Sequence, residues 1–462
     1  MTSERRLARG LSRLSIRRGA PGGGAPRDAQ GVRPDDGAAG APEAIEDRVS
    51  QLRAQIAEVI AASRAEAPTP RADARRARAA IEGSTLGVDA LPLERREMER
   101  GALYLREVEL EADHHHGRQA VGEGLTLDGA LVARLALDPR FEGLDMSRML
   151  LIDTETTGLG VGAGTIPFLV GIASFVEGAL KITQLFLRRP GEEGPMLEAL
   201  AARIEASSCI VSFNGKSFDW PLLRSRFVIN RVAAPSVPPH LDLLHCARRL
   251  HRGRLESMRL VALERALLDL HREDDVDGSR IPGIYFDFLQ GRQGFAEIEG
   301  ILTHNGDDLI ALAALLAHLG RGFAARDAGG DPEDRLAYAL VAERFKDGAL
   351  AARLALAALD AGAGGASRAR ALLLLARVAR RSDAREEEVG HLLELLAGQG
   401  EAALAAPPEL LMEAELALAK IYEHHLRDYD RAAEHAARAA PLEGVEASAR
   451  RQARLARRRG VA

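Results

Sequence analysis

Two acidic residues, Asp153 and Glu155, follow directly on a short apolar run and are the first candidates for chemistry in this 462-residue chain. The run from Met149 to Ile152 is typical of a buried strand. Because side chains alternate along a strand, positions 153 and 155 point to the same face. Two carboxylates at the end of a buried strand carry a desolvation cost that a bound cation would offset. Hard oxygen donors of this kind favour Mg²⁺ or Mn²⁺ over zinc.

The residues that surround this acidic pair make the motif more specific. D-x-E alone is weak, since acidic strand ends are common, but D-T-E-T-T-G over residues 153–158 after four apolar residues is much stronger. Thr154, Thr156 and Gly158 permit a tight turn and offer hydroxyl and backbone N–H groups near a phosphate. We therefore predict that Thr154 and Thr156 contact a nucleic-acid backbone.

A second polar element runs from Ser212 to Asp219. A strand is predicted to end at Asn214 and a helix to begin near Phe218, which places Asp219 in the first helical turn, where the helix dipole favours its charge. Alone, Asp219 could equally be a helix-terminal acid without a function.

Three further residues of this element are candidates for nucleic-acid contact. Asn214 lies at the strand end, Lys216 is placed to contact phosphate, and Trp220 to stack on a terminal base. Phe218 could stack in the same way, but core packing is the alternative for both aromatic residues and is favoured for Phe218.

The third element is the segment from His304 to Asp308, on a long helix predicted over residues 296–320. Residues 304 and 308 are one helical turn apart and share a face. A histidine beside a carboxylate could deprotonate or orient a water molecule for attack on a phosphodiester. In isolation such a segment would more often be a capping or solvated stretch.

The elements that must position these residues alternate between strands and helices from residue 146 to residue 322. This order predicts a mixed α/β domain with a central sheet flanked by helices. The predicted strands cover residues 149–152, 167–176, 180–187 and 209–213, and the predicted helices cover residues 195–206, 218–228, 244–251, 257–270 and 296–320.

The domain is expected to be flanked on both sides. Residues 1–84 are rich in Gly, Ala, Pro and Arg, which predicts a disordered basic region with a possible helix over residues 45–66. Residues 85–145 read as a leader that packs on the domain, with an edge strand over residues 104–110. The basic residues of 446–462 read as a tail, and both basic ends could hold phosphate or remain solvated.

Beyond residue 330 the pattern is helical only, which predicts an all-α region over residues 330–445. Segments 336–359, 369–379, 386–396 and 409–440 are rich in Ala and Leu. The last of these reads as a pair of closely packed helices that resembles a tetratricopeptide repeat, with a generic helical bundle as the alternative.

Taken together, the three elements resemble the three exonuclease motifs of the DEDD superfamily. More closely, D-T-E-T-T-G, F-N-G-K-S-F-D-W-P-L-L over residues 213–223, P-H-L-D-L-L-H over residues 239–245, and H-N-x-x-D over residues 304–308 resemble the YprB-like ribonuclease H-like family across roughly residues 100–320. The tetratricopeptide-like helices after the domain are similar to that family's layout.

The resemblance implies roles for individual residues. The metal ligands would be Asp153, Glu155, Asp219 and Asp308, with His304 as general base or water-orienting residue. In the better-known histidine subclass five positions separate the histidine from the aspartate, whereas here the step is four. The role of His304 as base or orienter therefore stays open.

Two other acids compete for a place in the site. Asp307 could be a ligand, although helical phase favours Asp308. Asp242 could be an accessory acid or a strand-end acid. The run from Asp113 to Gly117 contains three histidines, which could indicate a metal site. A polar turn is favoured because no partner carboxylate or cysteine lies at a useful spacing.

The functional expectation is a metal-dependent 3′→5′ exonuclease that hydrolyses DNA with two Mg²⁺ or Mn²⁺ ions, in DNA repair. The helical region would dock a protein partner, and the resemblance suggests a helicase. The alternatives are an RNA exonuclease of the same fold and a non-catalytic scaffold with a decayed nuclease domain, against which the complete carboxylate set argues.

Composition adds the cellular setting. Two cysteines without CxxC spacing, Cys209 and Cys246, suit a reducing interior. Only four of the 62 basic residues are lysine, which suggests a GC-rich bacterial genome and argues against an organellar transit peptide at the N-terminus. No run is long and apolar enough for a membrane span, so we expect a cytoplasmic bacterial protein.

Overall fold

The computed structural model describes residues 91–158, 164–273, 275–292, 295–324, 331–397 and 405–460. The low-complexity region predicted over residues 1–84, with its possible helix at 45–66, lies outside the described residues. Within the described part of the chain, no helix has the length and apolar character needed to span a membrane.

Seven strands form one sheet, and two short strands form a separate hairpin. The strands are β1 (Glu94–Met98), β2 (Gly101–Leu110), β3 (His115–His116), β4 (Gln119–Ala120), β5 (Met149–Thr156), β6 (Pro167–Val176), β7 (Ala179–Phe186), β8 (Cys209–Ser212) and β9 (His240–Asp242). The sheet order is β1-β2-β7-β6-β5-β8-β9, and β3 pairs with β4. Strands β5, β8 and β9 run parallel to one another, while the other pairings are antiparallel.

Strand β5 is buried on both faces. Met149 and Leu151 pack into one hydrophobic core, and Leu150 and Ile152 pack into a second core on the opposite face. A strand covered on both sides reads as a continuous apolar run, which is why the sequence shows no alternation here. The central position of β5 brings the acidic residues that follow into the middle of the sheet.

Helices flank the sheet and then make up the C-terminal region. They are α1 (Gly129–Ala136), α2 (Gly194–Ala206), α3 (Asp219–Ile229), α4 (Leu243–His251), α5 (Leu260–Leu263), α6 (Ile281–Leu289), α7 (Phe295–Ala324), α8 (Pro332–Arg344), α9 (Gly348–Asp360), α10 (Gly365–Arg381), α11 (Arg385–Ala397), α12 (Pro408–Ile421), α13 (Tyr429–Arg438), α14 (Ala440–Glu443) and α15 (Val445–Arg459). Helix α7 packs across β5, β6 and β7. The predicted fold class, a mixed sheet with flanking helices followed by a helical region, is confirmed.

The leader contributes more than predicted. Strand β2 is not an edge strand, because it pairs with β1 on one side and with β7 on the other, the latter from Tyr104 opposite Phe186 to Leu110 opposite Leu180. Strand β1 takes the edge instead. The leader was expected to pack on the domain and to supply one edge strand, and backbone pairing makes both β1 and β2 part of the sheet.

Three predicted segments take a more detailed form in the structure. The segment predicted to be helical over residues 336–359 contains two helices, since Lys346 adopts a left-handed φ of 67° and Asp347 caps the helix that follows. The helix predicted over residues 257–270 shortens to α5 and a π turn over Glu264–Leu268. The predicted tail is helix α15, which packs on α13.

Candidate active site

The first acidic pair lies where the ladder between β5 and β6 becomes irregular. Asp153 and Glu155 are partly buried on β5, and the pairing with β6 shifts register between Glu155 and Thr156. A shift of this kind bends the strand and re-aims the side chains beside it. Both carboxylates thus leave the sheet on the side covered by helix α7.

Asp219 is the first residue of α3, the helix that follows the neighbouring strand β8. It is 8% exposed in the first turn of α3, and it accepts a hydrogen bond from the Thr154 hydroxyl. A Cβ at Gly215 would lie 3.1 Å from Asp219 Oδ2 and closer still to Ser212, so this loop position needs glycine. The close approach brings α3 onto the end of β8.

Asp242 holds the loop that precedes Asp219. Its Oδ1 accepts from the backbone N–H of Asn214 at 2.8 Å, and its Oδ2 accepts from that of Lys216 at 3.2 Å. It also caps helix α4 through the N–H of Leu244 at 3.1 Å. Of the two predicted roles, accessory acid and strand-end acid, these bonds favour the second.

His304 and Asp308 face the strand pair from helix α7. His304 Nε2 lies 3.7 Å from Glu155 Oε1 and 3.9 Å from Asp308 Oδ2. The four-residue step along the helix therefore aims both side chains into the same cleft as Glu155. Five residues that are distant in sequence come together here, namely Asp153, Glu155, Asp219, His304 and Asp308.

Two residues of the site were missed by the sequence analysis. Asp275 Oδ1 lies 2.6 Å from His304 Nδ1, and Arg272 joins Asp275 to Asp308 through contacts of 3.3 Å and 2.6 Å. Both come from the segment before α6, which carries no motif. The acidic run at residues 273–275 was the only signal in the sequence that could have pointed to this segment.

Arg272 is itself held from behind. Its guanidinium donates to Glu264 Oε1 at 3.0 Å, and Glu264 lies 2.6 Å from His116 Nε2. His116 belongs to the histidine run that was predicted to be a polar turn. It is instead 7% exposed in the β3–β4 hairpin, because the hairpin packs against the π turn that carries Glu264.

Burial and mutual repulsion dominate the electrostatics of the cleft. Burial raises the pKa of Glu155 to about 8, with nearby Asp308 adding to the effect and His304 opposing it. Burial likewise raises the pKa of Asp219 to about 6. The pKa of Asp153 is raised by burial and by the charges of Asp308, Glu155 and Asp219.

The two groups on α7 have opposing neighbours. Burial raises the pKa of Asp308, although the Arg272 guanidinium works against the rise. Burial alone would lower the pKa of His304, but Asp308, Asp275 and Glu155 outweigh it and the net direction is upward. The cleft thus holds more acidic groups than neighbouring cations can neutralise.

This donor set fits divalent metal ions by its chemistry. Four carboxylates with raised or mutually raised pKa values need positive charge in order to ionise together, and their oxygens are the ligands that Mg²⁺ and Mn²⁺ prefer. Among the described residues, no three His, Cys, Asp or Glu side chains are already gathered in the geometry of a metal ion. The site therefore suits a divalent metal ion because of the charge of its donors, and not because the side chains already form a coordination sphere.

The predicted nucleic-acid contacts divide into three groups. Thr154 and Thr156 are engaged inside the site, since Thr154 donates to Asp219 and Thr156 donates to the Gly158 carbonyl at 2.8 Å. Asn214, with a left-handed φ of 64°, and Lys216 are exposed. Trp220 is partly buried and packs against the second hydrophobic core, so its environment favours the core-packing alternative.

Comparison with known proteins agrees with this geometry. Residues 150–320 match the family described as the RNase_H superfamily. The chain is also 32% identical over 223 residues to an uncharacterized protein, YprB, of Bacillus subtilis (strain 168). The alignment covers 47% of this chain and 53% of the relative, so the chain spans about half the length of the curated relative it matches.

The matched segment runs from the start of β5 through most of α7 and contains the whole predicted carboxylate set. Proteins of the RNase H-like superfamily are generally nucleases that use divalent metal ions. The α/β region of this chain therefore has an RNase H-like fold, the fold class of nucleic-acid-processing enzymes.

Proposed function

We propose that this protein is a metal-dependent 3′→5′ exonuclease that hydrolyses the phosphodiester bonds of DNA. The observation that carries the proposal is the cleft between β5 and α7, where the carboxylates of Asp153, Glu155, Asp219 and Asp308 lie close enough to repel one another and His304 lies beside Glu155 and Asp308. A helix-terminal or strand-end acid alone would be structural. Four acids with raised pKa values in one cleft would destabilise the fold when ionised unless a bound cation neutralises them, and such groups are common at functional sites.

The four carboxylates would hold two divalent ions, which when bound polarise the scissile phosphate and lower the pKa of an attacking water. Asp275 holds His304 through Nδ1 at 2.6 Å, so that Nε2 faces the cleft. His304 Nε2 would either accept a proton from the attacking water or orient that water. If it accepts the proton, the nearby Glu155 and Asp308 carboxylates would stabilise the imidazolium ion. Arg272 keeps Asp308 in place from the outer side.

The substrate is tested with two labelled strands of one sequence, one of DNA and one of RNA. We expect purified protein with Mg²⁺ or Mn²⁺ to shorten 5′-labelled single-stranded DNA from its 3′ end, and to act less on the matching RNA. EDTA should abolish the reaction, and Asp153→Asn should be inactive under all conditions. A wild-type protein no more active than Asp153→Asn on every substrate would exclude an enzyme and leave the scaffold alternative. A preference for RNA would replace only the substrate assignment.

The helical region is proposed to recognise a protein partner of the nuclease in DNA repair, with a helicase as the candidate. A groove of about 540 Å³ between α9, α10 and α11 supports this role, and Leu356 on its wall is 46% exposed. Substituting Leu356→Asp should weaken co-sedimentation with a purified helicase while leaving nuclease activity unchanged. Equal co-sedimentation of wild type and variant would reject the groove as the docking surface.

The setting is proposed to be the bacterial cytoplasm. Cys209 and Cys246 are both buried free thiols. Burial raises the pKa of Cys209 to about 11, which keeps its thiol protonated and unreactive. The chain therefore needs no oxidising compartment to fold.

A further inference from the structure

Asn305, which follows His304 on α7, lies inside the site without being a candidate ligand. It is 0% exposed, and its Nδ2 donates to Asp153 Oδ2 at 2.8 Å. A fully buried carboxamide is costly unless its donors and acceptor are satisfied. Its partners therefore reveal what the position is built for.

The orientation of the carboxamide follows from a chain of hydrogen bonds. The Leu302 carbonyl can only accept, so the Gln184 atom that faces it at 2.6 Å is the amide nitrogen Nε2. The same Nε2 lies 3.0 Å from Asn305, which must therefore present Oδ1 on that side. The NH₂ group of Asn305 is then turned toward Asp153 and donates to its Oδ2.

The sheet leaves room for this arrangement at one row of residues. Asp153 on β5 is opposite Gly171 on β6, and Gly171 is opposite Gln184 on β7. A Cβ at Gly171 would lie 2.8 Å from Asn305 Cγ and would overlap the carboxamide. Because position 171 of β6 is glycine, there is space at this point for the Asn305 side chain, which extends from α7 to the sheet.

We propose that Asn305 is a positioning residue for the metal centre, which it serves by holding Asp153 in its metal-facing orientation with Gly171 and Gln184 as its support. Its bond uses one oxygen of the carboxylate, so the other can face a cation. A neutral amide donor orients the Asp153 carboxylate without neutralising its charge, whereas a lysine or arginine would compete with the metal ion for that carboxylate. The inference rests on the proposed function, since it assigns Asp153 to a divalent ion.

The test measures Mn²⁺ binding to the full-length protein in the absence of nucleic acid, by titration calorimetry. Asn305→Leu keeps the volume of the side chain but removes its donor. We expect it to weaken Mn²⁺ binding about tenfold, as is common when the hydrogen-bond partner of a metal ligand is removed. Leu316→Ala, at another fully buried position of α7, lowers the melting temperature without touching the site and should bind Mn²⁺ like the wild type.

A double substitution separates positioning from general damage. Gly171→Ala alone should weaken Mn²⁺ binding, because it displaces the Asn305 carboxamide. In the Asn305→Ala background that carboxamide is absent, so adding Gly171→Ala should cause no further loss. Additive losses would overturn the inference, and this comparison also serves if Asn305→Leu does not fold.

Two failures can be told apart. If the wild type binds Mn²⁺ and Asn305→Leu binds it as tightly, the positioning role is wrong while the proposed function stands. If the wild type binds no Mn²⁺ and degrades no nucleic acid, the proposed function is wrong and this inference falls with it.

Discussion

Buried acids occur in both halves of the structure, but their surroundings differ. In the helical region Glu423 is fully buried, and it accepts from Arg451 at 2.9 Å and from Arg454 at 2.5 Å and 2.9 Å. Hydrogen bonds from Arg454 are the largest of the effects that lower the pKa of Glu423. In the cleft, burial raises the pKa values of Asp153 and Glu155.

The difference separates two uses of a buried carboxylate. An acid matched by two guanidiniums is stable as it stands and ties helices together. An excess of acids over cations is unstable until positive charge arrives, and such an excess marks a candidate metal site. Arg272 at 2.6 Å from Asp308 neutralises only part of the charge in the cleft.

The largest expected effect is on activity, and it tests whether the acids of the two regions differ in function. Asp153→Asn should reduce nuclease activity by more than about a hundredfold, since changes in outer-shell partners alone cost about 10–100-fold. It should not lower the metal-free melting temperature, because it removes repulsion. Release of nucleotides from labelled DNA and thermal unfolding in EDTA measure the two outcomes. A large loss of stability with the loss of activity would mean that Asp153 is structural.

Glu423→Gln should show the opposite behaviour. It removes the negative charge that Arg451 and Arg454 share and replaces one of the two acceptor oxygens by an NH₂ donor, at a cost of about 1–3 kcal/mol in the free energy of unfolding. Nuclease activity per folded molecule should stay at the wild-type level. Urea denaturation together with the labelled-DNA assay measures both. Unchanged stability would contradict the structural role of this ion cluster.

The pH dependence of stability sharpens the same contrast. An acid whose pKa is raised in the folded state binds more protons folded than unfolded, so its contribution falls as pH rises. Glu155, raised from 4.5 to about 8, should therefore lower the metal-free melting temperature by a few degrees (~2–4 °C) between pH 5 and pH 8.

Added Mn²⁺ should cancel most of that loss, and Glu155→Gln should reduce it. His304, whose pKa is also raised, contributes in the same direction. Glu423, whose pKa is lowered, stabilises the fold fully at pH values above its pKa in the unfolded chain. It should therefore not change the melting temperature between pH 5 and pH 8. Melting curves across pH with and without Mn²⁺ provide the measurement. A melting temperature that rises from pH 5 to pH 8 in EDTA would contradict the assignment.

The smallest expected effect concerns the basic ends. In α15 Arg451 and Arg454 are engaged by Glu423, and Arg459 by Asp430 at 2.7 Å, so these side chains are already neutralised within the protein. Removing residues 1–33, which hold eight arginines, should therefore reduce the salt dependence of DNA binding more than Arg459→Ala does, because Arg459 is already paired with Asp430. Binding titrations at several salt concentrations compare the two. Equal slopes for the two variants would show that the N-terminal arginines do not contact DNA.

Much of the fold could be predicted because its patterns are local. The predicted strand over residues 167–176 coincides with β6, that at 180–187 is shifted from β7 by one residue at both ends, and that at 209–213 is one residue longer than β8. Apolar runs and turn residues carry this information. The alternation of strands and a four-residue helical step were sufficient to predict which acidic side chains share a face.

The sequence alone therefore determined the fold class and named Asp153, Glu155, Asp219, His304 and Asp308 as candidates. Only the tertiary structure decided that Arg272 and Asp275 hold the helix side of the cleft, that Asn305 packs on Gly171 and Gln184, and that β1 lies outside β2 at the edge of the sheet. The physical reason is that periodicity records the face on which a side chain lies but not the partner it meets. A glycine that makes room for a carboxamide 134 positions away leaves no trace in local sequence.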